Sequence, residues 1–454
     1  MTEGKLAEIA RAKRDQLARR FDGVSLDALR ANAAPTRRRM ASALAKPGSR
    51  FILEIKKGSP SAGAIRPGAD PASIARGYAG VADALSVLID EQFFGGSLAD
   101  LRAARTGFAG PILAKDFFLD ARQVAEARIA GADAVLVMLS LLDDPAAREI
   151  MAEAARLGMD ALVEVHDEAE MRRANALGAQ IIGINNRDLR DFSIDVSTTE
   201  RLAKLAGGKV LVSESGISSR QDVERLARHV DAFLVGTSLM QARDPAGAAR
   251  ELVFGRVKLC GLNRTQDFQA AAAATYAGLI LVPKSPRAVT LGQAFALNGH
   301  WPRRVGVFRN SPMREVSDTA TMLGLAAVQL HGDEDAAYVR ALARRLPVDC
   351  EVWKSVSVAS ARPESFSAAD RLVFDRGAGG TGQAFDWTMI QGHARLPVSL
   401  VAGGIGPHNA RQAAALGTHA IDVGSAVDTR PGVKSTEKIG ALFEALRAPS
   451  RQEL

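Results

Sequence analysis

The chain is poor in the groups that most often announce a function. Two cysteines in 454 residues, Cys260 and Cys350, cannot build a disulfide framework and suit a reducing compartment. They form no CxxC pair, and the seven histidines contain no HExxH, so no metal is expected. No GxGxxG follows a first strand and no Walker A loop occurs, so no cofactor is expected either. No run approaches the ~18–20 apolar residues of a membrane span. The N-terminus MTEGKLAEIARAKRDQLARRFDG is charged throughout and has no apolar signal core. These absences lead to the expectation of a soluble, cytoplasmic protein without a membrane partner.

Aromatic residues make up only 5% of the chain, with three Trp and three Tyr, which leaves few platforms for stacking bases. The formal charge of +7 points first to a nucleic acid. Its distribution argues otherwise. Residues 1–46 hold eleven basic and five acidic side chains, so six of the seven units lie there and the rest is almost balanced. No RNP, KH or zinc-finger pattern is present, and no nucleic-acid partner is expected.

What the chain does have is rhythm. After residue 50, short β-branched runs alternate with Ala/Leu/Arg/Glu segments of helical period, the signature of repeated βα units. Eight such runs lead from FILEIK (51–56) through PILAK (111–115), ALVEV (161–165) and KVLVSE (209–214) to AFLVG (232–236). Eight more lead from VKLC (257–260) through GLILV (278–282), RLVFD (371–375) and VSLVA (398–402) to HAIDV (419–423). Eight parallel strands with eight helices close into a barrel, so the expected α/β fold is two consecutive (β/α)8 barrels. The first would span 1–254, with 1–46 as a helical extension, and the second 255–454. A doubly wound open sheet has no reason to stop at eight strands twice.

The halves share a local repeat. SGI (215–217) precedes VGTS (235–238), and GGI (403–405) precedes VGSA (423–426), with Gly216–Gly236 and Gly404–Gly424 at the same separation. These turns follow the seventh and eighth strands, where such barrels hold phosphate because glycine lets backbone N–H groups approach the oxygens. Two phosphate-bearing ligands are expected. The strand ends of the first half carry Glu54 and Lys56, Lys115, Glu164, Asn185 and Arg187, and Glu214 with Ser215. A carboxylate within an apolar strand is costly unless paired, so several acids and lysines converging on one mouth imply chemistry rather than packing.

FILEIKKGSPSAG, PILAKDFF, VEVH, GINNRDL, SESGI and VGTSLM occur in the order of the indole-3-glycerol-phosphate synthase family, which the first half resembles. VKLCGL, LVPKSPR, VGVFRN, VQLHGDE, LVFDRGAGGTGQAFDW, VAGGI and IDVGSAVDTRPGVK resemble the phosphoribosylanthranilate isomerase family. Their fusion in this order is similar to the bifunctional tryptophan-biosynthesis enzymes of many bacteria. The resemblance implies phosphorylated small-molecule substrates, consecutive reactions and, as expected here, a monomer.

By that resemblance Lys115 is the general acid of ring closure and Glu164 the acid/base of dehydration, with Lys56 near the substrate carboxylate. Glu54, Asn185, Glu214 and Ser215 orient hydroxyls and lysines, Arg187 anchors the carboxylate, and Ser59, Gly216, Gly236 and Thr237 hold phosphate. In the second half Cys260 resembles the general base and Asp375 the general acid. Arg287 faces the anthranilate carboxylate and His331 lies at the mouth. Gly380, Gly382, Gly403, Gly404, Asp422, Gly424 and Ser425 form the phosphate and ribose shell. Read without the family, Cys260 is a buried core thiol, as Cys350 remains. Two departures, Asp428 where the family often has Glu and Ser435 where it has Asp, fall beyond the eighth strand and are not expected to change the chemistry. The rivals are a Schiff base on Lys115, a pair of histidine-pathway-like phosphosugar barrels, and a non-catalytic metabolite-binding barrel pair.

Overall fold

A computed structural model describes residues 5–297, 302–358, 366–377 and 384–453. The chain divides into two compact units: residues 1–253 together with 448–454, and residues 254–447. Each contains one closed ring of eight parallel strands. No helix of the described residues is long and apolar enough to cross a membrane.

The first ring comprises β1 (Arg50–Ile55), β2 (Ala84–Leu88), β3 (Ile112–Lys115), β4 (Ala134–Met138), β5 (Asp160–Val165), β6 (Ile181–Asn185), β7 (Val210–Glu214) and β8 (Ala232–Val235). β1 pairs with both β2 and β8, which closes the ring. Intervening helices begin on side-chain caps, among them Ser97, Asp120, Asp143, Asp167 and Ser219, each accepting a helix-opening N–H. A recurring aspartate sets the lower rim. Asp83, Asp133 and Asp231 each directly precede a strand and accept a backbone N–H from the strand before, at Phe51, Ile112 and Leu211 (2.9, 3.1 and 2.9 Å). Alternation then puts every second side chain inside the barrel, so Glu54, Ser86, Lys115, Glu164, Asn185 and Glu214 converge at its upper end.

The extension forms three helices, α1 (Lys5–Arg20), α2 (Leu26–Arg30) and α3 (Met40–Leu44). Ile9, Lys13 and Leu17 recur at i, i+4 along α1 and are buried, followed by Phe21. Met40 and Leu44 of α3 are fully buried. The positive charge that the sequence concentrates here is largely spent on ion pairs along the barrel wall and lower rim. Arg20 pairs with Glu126, Arg30 with Glu153 and Arg39 with Asp160, at 2.6, 2.5 and 2.5 Å. The last residues of the chain complete this rim: Ser49 N–H donates to the Ala448 carbonyl (2.7 Å) and Arg451 pairs with Asp231 (2.9 Å).

The second ring comprises β9 (Val257–Cys260), β10 (Tyr276–Ile280), β11 (Arg303–Phe308), β12 (Ala327–Leu330), β13 (Glu351–Ser357), β14 (Arg371–Asp375), β15 (Leu400–Val401) and β16 (Ala420–Val423). Its interior is filled by Tyr276, Val305, Trp353, Val373 and Leu400 among others. All sixteen expected strands are present. β10 begins two residues before the expected GLILV, because the Tyr276 ring packs edge-on against Trp353 at 5.0 Å and its hydroxyl meets His419 at 3.1 Å. Leu281 and Val282 lead instead into the PKSPR loop. A continuous apolar run carries no periodicity to mark such an end.

Asp133 offers a direct test of the lower rim. It is fully buried and receives Thr36, Arg105, Arg128 and the Ile112 N–H (2.5, 2.7, 2.9 and 3.1 Å). Asp133→Ala strands two guanidinium groups and is expected to cost the first barrel ~3–5 kcal/mol in urea unfolding; a loss under ~1 kcal/mol contradicts this role.

Candidate active sites

All twelve residues expected in the first barrel line one cavity of about 530 Å3 at the C-terminal end of the strands. Lys115 lies at its centre, 2.7 Å from Glu214 and 3.5 Å from Glu54, while Lys56 meets Glu54 at 2.9 Å. Glu54, Glu164 and Glu214 are all nearly inaccessible. Burial opposes ionisation of Glu54, but Lys56 and Lys115 overcome it and hold the acid at about 2. Burial likewise disfavours the ammonium of Lys115, yet Glu214 and Glu54 outweigh it and raise its pKa. Glu214 is different. Burial, reinforced by the nearby Glu164 charge, leaves it at about 7 despite Lys115.

Two glycines make the cluster possible by close approach. A Cβ at Gly183 would lie 2.1 Å from Glu214 Oε1, and one at Gly236 would lie 2.4 Å from Glu54 Oε1. Gly236, expected to hold phosphate, therefore also makes room for a carboxylate. Ser215 and Gly216 both have positive φ, 65° and 82°, turning the chain sharply after β7. Asn185 accepts the Arg187 N–H at 3.0 Å, and Arg187 donates to the Phe192 carbonyl at 3.0 Å. Phe94, Phe117, Leu136, Met138 and Leu189, with Leu6 and Ile9 of α1, supply an apolar wall. The cavity thus offers an aromatic-sized apolar side, a cluster of acids and lysines, and a Ser/Gly/Thr end.

Two residues of this site were not singled out in the sequence. His166, in VEVH, lies between Glu164 (3.4 Å) and Glu170 (3.0 Å). Burial disfavours its charge, but the adjacent Glu164 and Glu170 carboxylates raise it to about 10. The same contact holds Glu164 below its ordinary value against burial. Lys13, on the buried stripe of α1, meets Asp90 and Asp116, each at 2.6 Å, and is almost inaccessible. Asp116 adjoins Lys115, so this pair ties the extension to the catalytic strand end. A lone lysine in a basic helix gave no signal; only the apolar stripe through Lys13 marked it.

Nine residues expected in the second barrel line a cavity of about 410 Å3; Gly380 and Gly382 lie outside the described residues. Cys260 ends β9 and Asp375 ends β14, three strands away around the ring. Burial raises both the Cys260 thiol and the Asp375 carboxyl. His331 stands 4.0 Å from Asp375, and its Nδ1 is 3.4 Å from Gln329. Burial lowers the His331 pKa and favours the neutral ring. Gly403 and Gly404 both have positive φ, 83° and 61°, and so form a turn after β15 that other residues adopt only with strain. Lys284 and Arg309, not singled out before, add positive charge to the wall.

Three residues of this half gain partners that the sequence did not show. Asp422, expected in the phosphate and ribose shell, lines the cavity and is paired with Lys258 at 2.7 Å. Asp428 is more than loop packing, because it receives Arg287 at 2.8 Å and Lys434 at 2.7 Å and so aims the site arginine. Ser435 caps the final helix by accepting the Lys438 N–H at 3.2 Å, a role aspartate fills as well. Among the described residues no group of three His, Cys, Asp or Glu could hold a metal ion.

Two measurements check the first cavity. Lys13→Ala leaves Asp90 and Asp116 buried without their cation and is expected to destabilise the first barrel by ~3–5 kcal/mol; adding Asp116→Asn should recover part of it. His166 contributes stability that is fully present below its unfolded pKa of 6.5 and is lost as pH rises through about 10. The unfolding midpoints of the parent and His166→Gln should therefore differ most in acid and converge in strong base.

Residues 6–252 match the family model of indole-3-glycerol phosphate synthase, and residues 257–445 match that of N-(5'-phosphoribosyl)anthranilate isomerase. The tryptophan biosynthesis protein TrpCF of Yersinia pestis is 46% identical over 402 residues, covering 87% of this chain and 84% of that one. Its namesake from Salmonella typhi is 45% identical, covering 91% and 92%. The one from Vibrio parahaemolyticus is 42% identical, covering 97% and 94%. With the synthase model on the barrel that holds Lys115 and the isomerase model on the barrel that holds Cys260, the chain belongs to the family of bifunctional tryptophan-biosynthesis enzymes.

Proposed function

We propose that the two cavities carry consecutive reactions with the following division of labour. In the second barrel, N-(5-phosphoribosyl)anthranilate becomes 1-(2-carboxyphenylamino)-1-deoxyribulose 5-phosphate. Asp375 protonates the furanose oxygen, which opens the ring to an iminium. Burial raises its pKa, the direction that favours an acid catalyst. Cys260 takes the proton from C2, and that electron pair forms the enamine, which tautomerises to the ketose amine. Arg287, held by Asp428, faces the anthranilate carboxylate. The Gly403–Gly404 and Gly424–Ser425 turns receive the phosphate.

In the first barrel that product becomes indole-3-glycerol phosphate with loss of CO2 and water. Lys115 gives a proton to the ketone oxygen as the anthranilate ring carbon attacks, and decarboxylation restores aromaticity. Glu164, held ionised by His166, then removes a proton as water leaves, with Lys56 available to protonate the departing hydroxyl. Ser59, Gly216, Gly236 and Thr237 receive the phosphate, and Arg187 the carboxylate. A Schiff base on Lys115 needs a free amine, whereas this amine is gripped as an ammonium by two carboxylates. Each cavity is built from a single barrel of one chain, which supports action as a monomer. Two free thiols suit a cytoplasmic setting.

The observation that carries this reading is the contact of Lys115 with Glu214 and Glu54 in one cavity, beside Cys260 and Asp375 in the other. Lys115→Ala is expected to reduce ring closure at least about a thousandfold and spare isomerisation, and Cys260→Ala the reverse. Either variant losing both activities while folded overturns the assignment. Because Glu214 titrates near 7, synthase kcat/KM should change across neutrality. Glu214→Gln should remove that inflection; its persistence would assign it to another group.

A further inference from the structure

The reaction as written leaves Lys258 without a role, although a fully buried ammonium is costly to maintain. Lys258 and Cys260 lie two apart on β9, so both point into the barrel, the lysine one layer below the thiol. The Lys258 ammonium is 2.7 Å from Asp422 on the neighbouring β16, and its stem lies beside the Cys260 thiol. The other oxygen of Asp422 has no hydrogen-bond partner among the described residues. Gly278 on β10 supplies the space: a Cβ there would lie 2.9 Å from Cys260 Sγ and 3.2 Å from Lys258 Cε. Amine, carboxylate and thiol are thus packed together, the carboxylate and thiol lining the second-barrel cavity and the amine beneath them.

We propose that Lys258 is a positioning residue for the isomerisation, its ammonium, paired with Asp422 beside Cys260, supplying the cation against which Cys260 becomes a thiolate. The inference rests on the reading of Cys260 as the base. Burial pushes the thiol up; Lys258 pulls it down, Asp422 pushes it up, and Lys434 pulls it down. The remaining charges nearby are committed elsewhere or face the lysine. Arg287, whose stem packs beside Gly261, is tied to Asp428, and Lys434 is tied to the same carboxylate. His331 and Asp375 interact with Lys258 from β12 and β14. When the C2–H bond breaks, its proton forms the S–H bond and its electron pair enters the enamine. Lys258 keeps its own protons throughout, balanced by the thiolate before transfer and by Asp422 after it.

The test titrates Cys260 directly in the full chain. Iodoacetamide reacts with the thiolate, so its rate at the Cys260 peptide, followed by mass spectrometry against pH, reports the thiolate fraction. Lys258→Met is expected to raise the midpoint by at least about one pH unit and to lower isomerase kcat/KM at neutral pH about tenfold, with recovery toward higher pH. Asp422→Asn removes the competing anion and is expected to lower the midpoint. A lysine that merely fills space predicts no shift, or shifts of the same sign in both variants, and either result overturns the proposal. Should Lys258→Met not fold, Asp422→Asn alone decides, and an unmoved or raised midpoint sinks the idea. Failure of the base reading is separate: it appears as isomerase activity retained by Cys260→Ala, whatever the titration shows.

Discussion

The ammonium of Lys115 among three buried carboxylates is the constraint on which the first barrel turns. An isolated charge in that position would be neutralised or expelled, so its presence requires each partner to be held in place. Glu54, Glu164 and Glu214 come from β1, β5 and β7, which meet only because the sheet closes. Lys56 and His166 add two positive charges, so three carboxylates face three cations. Gly183 and Gly236 leave the space that the carboxylates occupy. Buried in this way, Lys115 and His166 are kept protonated, Glu54 and Glu164 are kept ionised and Glu214 is pushed up to about 7, which is the spread of acid and base strength that a multistep proton-transfer reaction needs.

The second barrel solves the same electrostatic problem with fewer groups. A fully buried lysine, Lys258, is paired with one carboxylate next to the Cys260 thiol, again beside a glycine that gives them room. The requirement is smaller because the isomerisation needs one base and one acid and expels nothing. Arg287 and Lys434 converge on Asp428, so the arginine proposed to meet the ligand is fixed from behind by a carboxylate beyond the last strand. In both barrels the groups that touch the ligand owe their state to neighbours that do not.

The architecture was legible before any coordinate, because alternating β-branched and helical segments repeat sixteen times and the barrel is the closed form of that repeat. The catalytic strand ends were legible for a related reason: a carboxylate or lysine inside an apolar run is conspicuous. Lys13, His166 and Lys258 escaped notice because their significance lies in partners distant in sequence, at Asp90 and Asp116, at Glu164 and Glu170, and at Asp422. The excess charge of the N-terminal segment pointed first to a nucleic acid. Instead Arg20, Arg30 and Arg39 bind Glu126, Glu153 and Asp160 on the wall and rim. Net charge counts residues without regard to whether they are paired.

The sequence by itself determined the two barrels, the order of their strands, the phosphate-sized turns after the seventh and eighth strands, and the types of acid and base at each mouth. These are local properties, written in periodicity, in glycine at sharp turns and in polar residues where apolar ones are the rule. Only the tertiary structure decided which amine meets which carboxylate, which acid stays near neutrality, and which glycine makes space for a neighbour rather than for a ligand. Those depend on ring closure, because a pKa is set by burial and by charges a few ångströms away, whatever their separation along the chain.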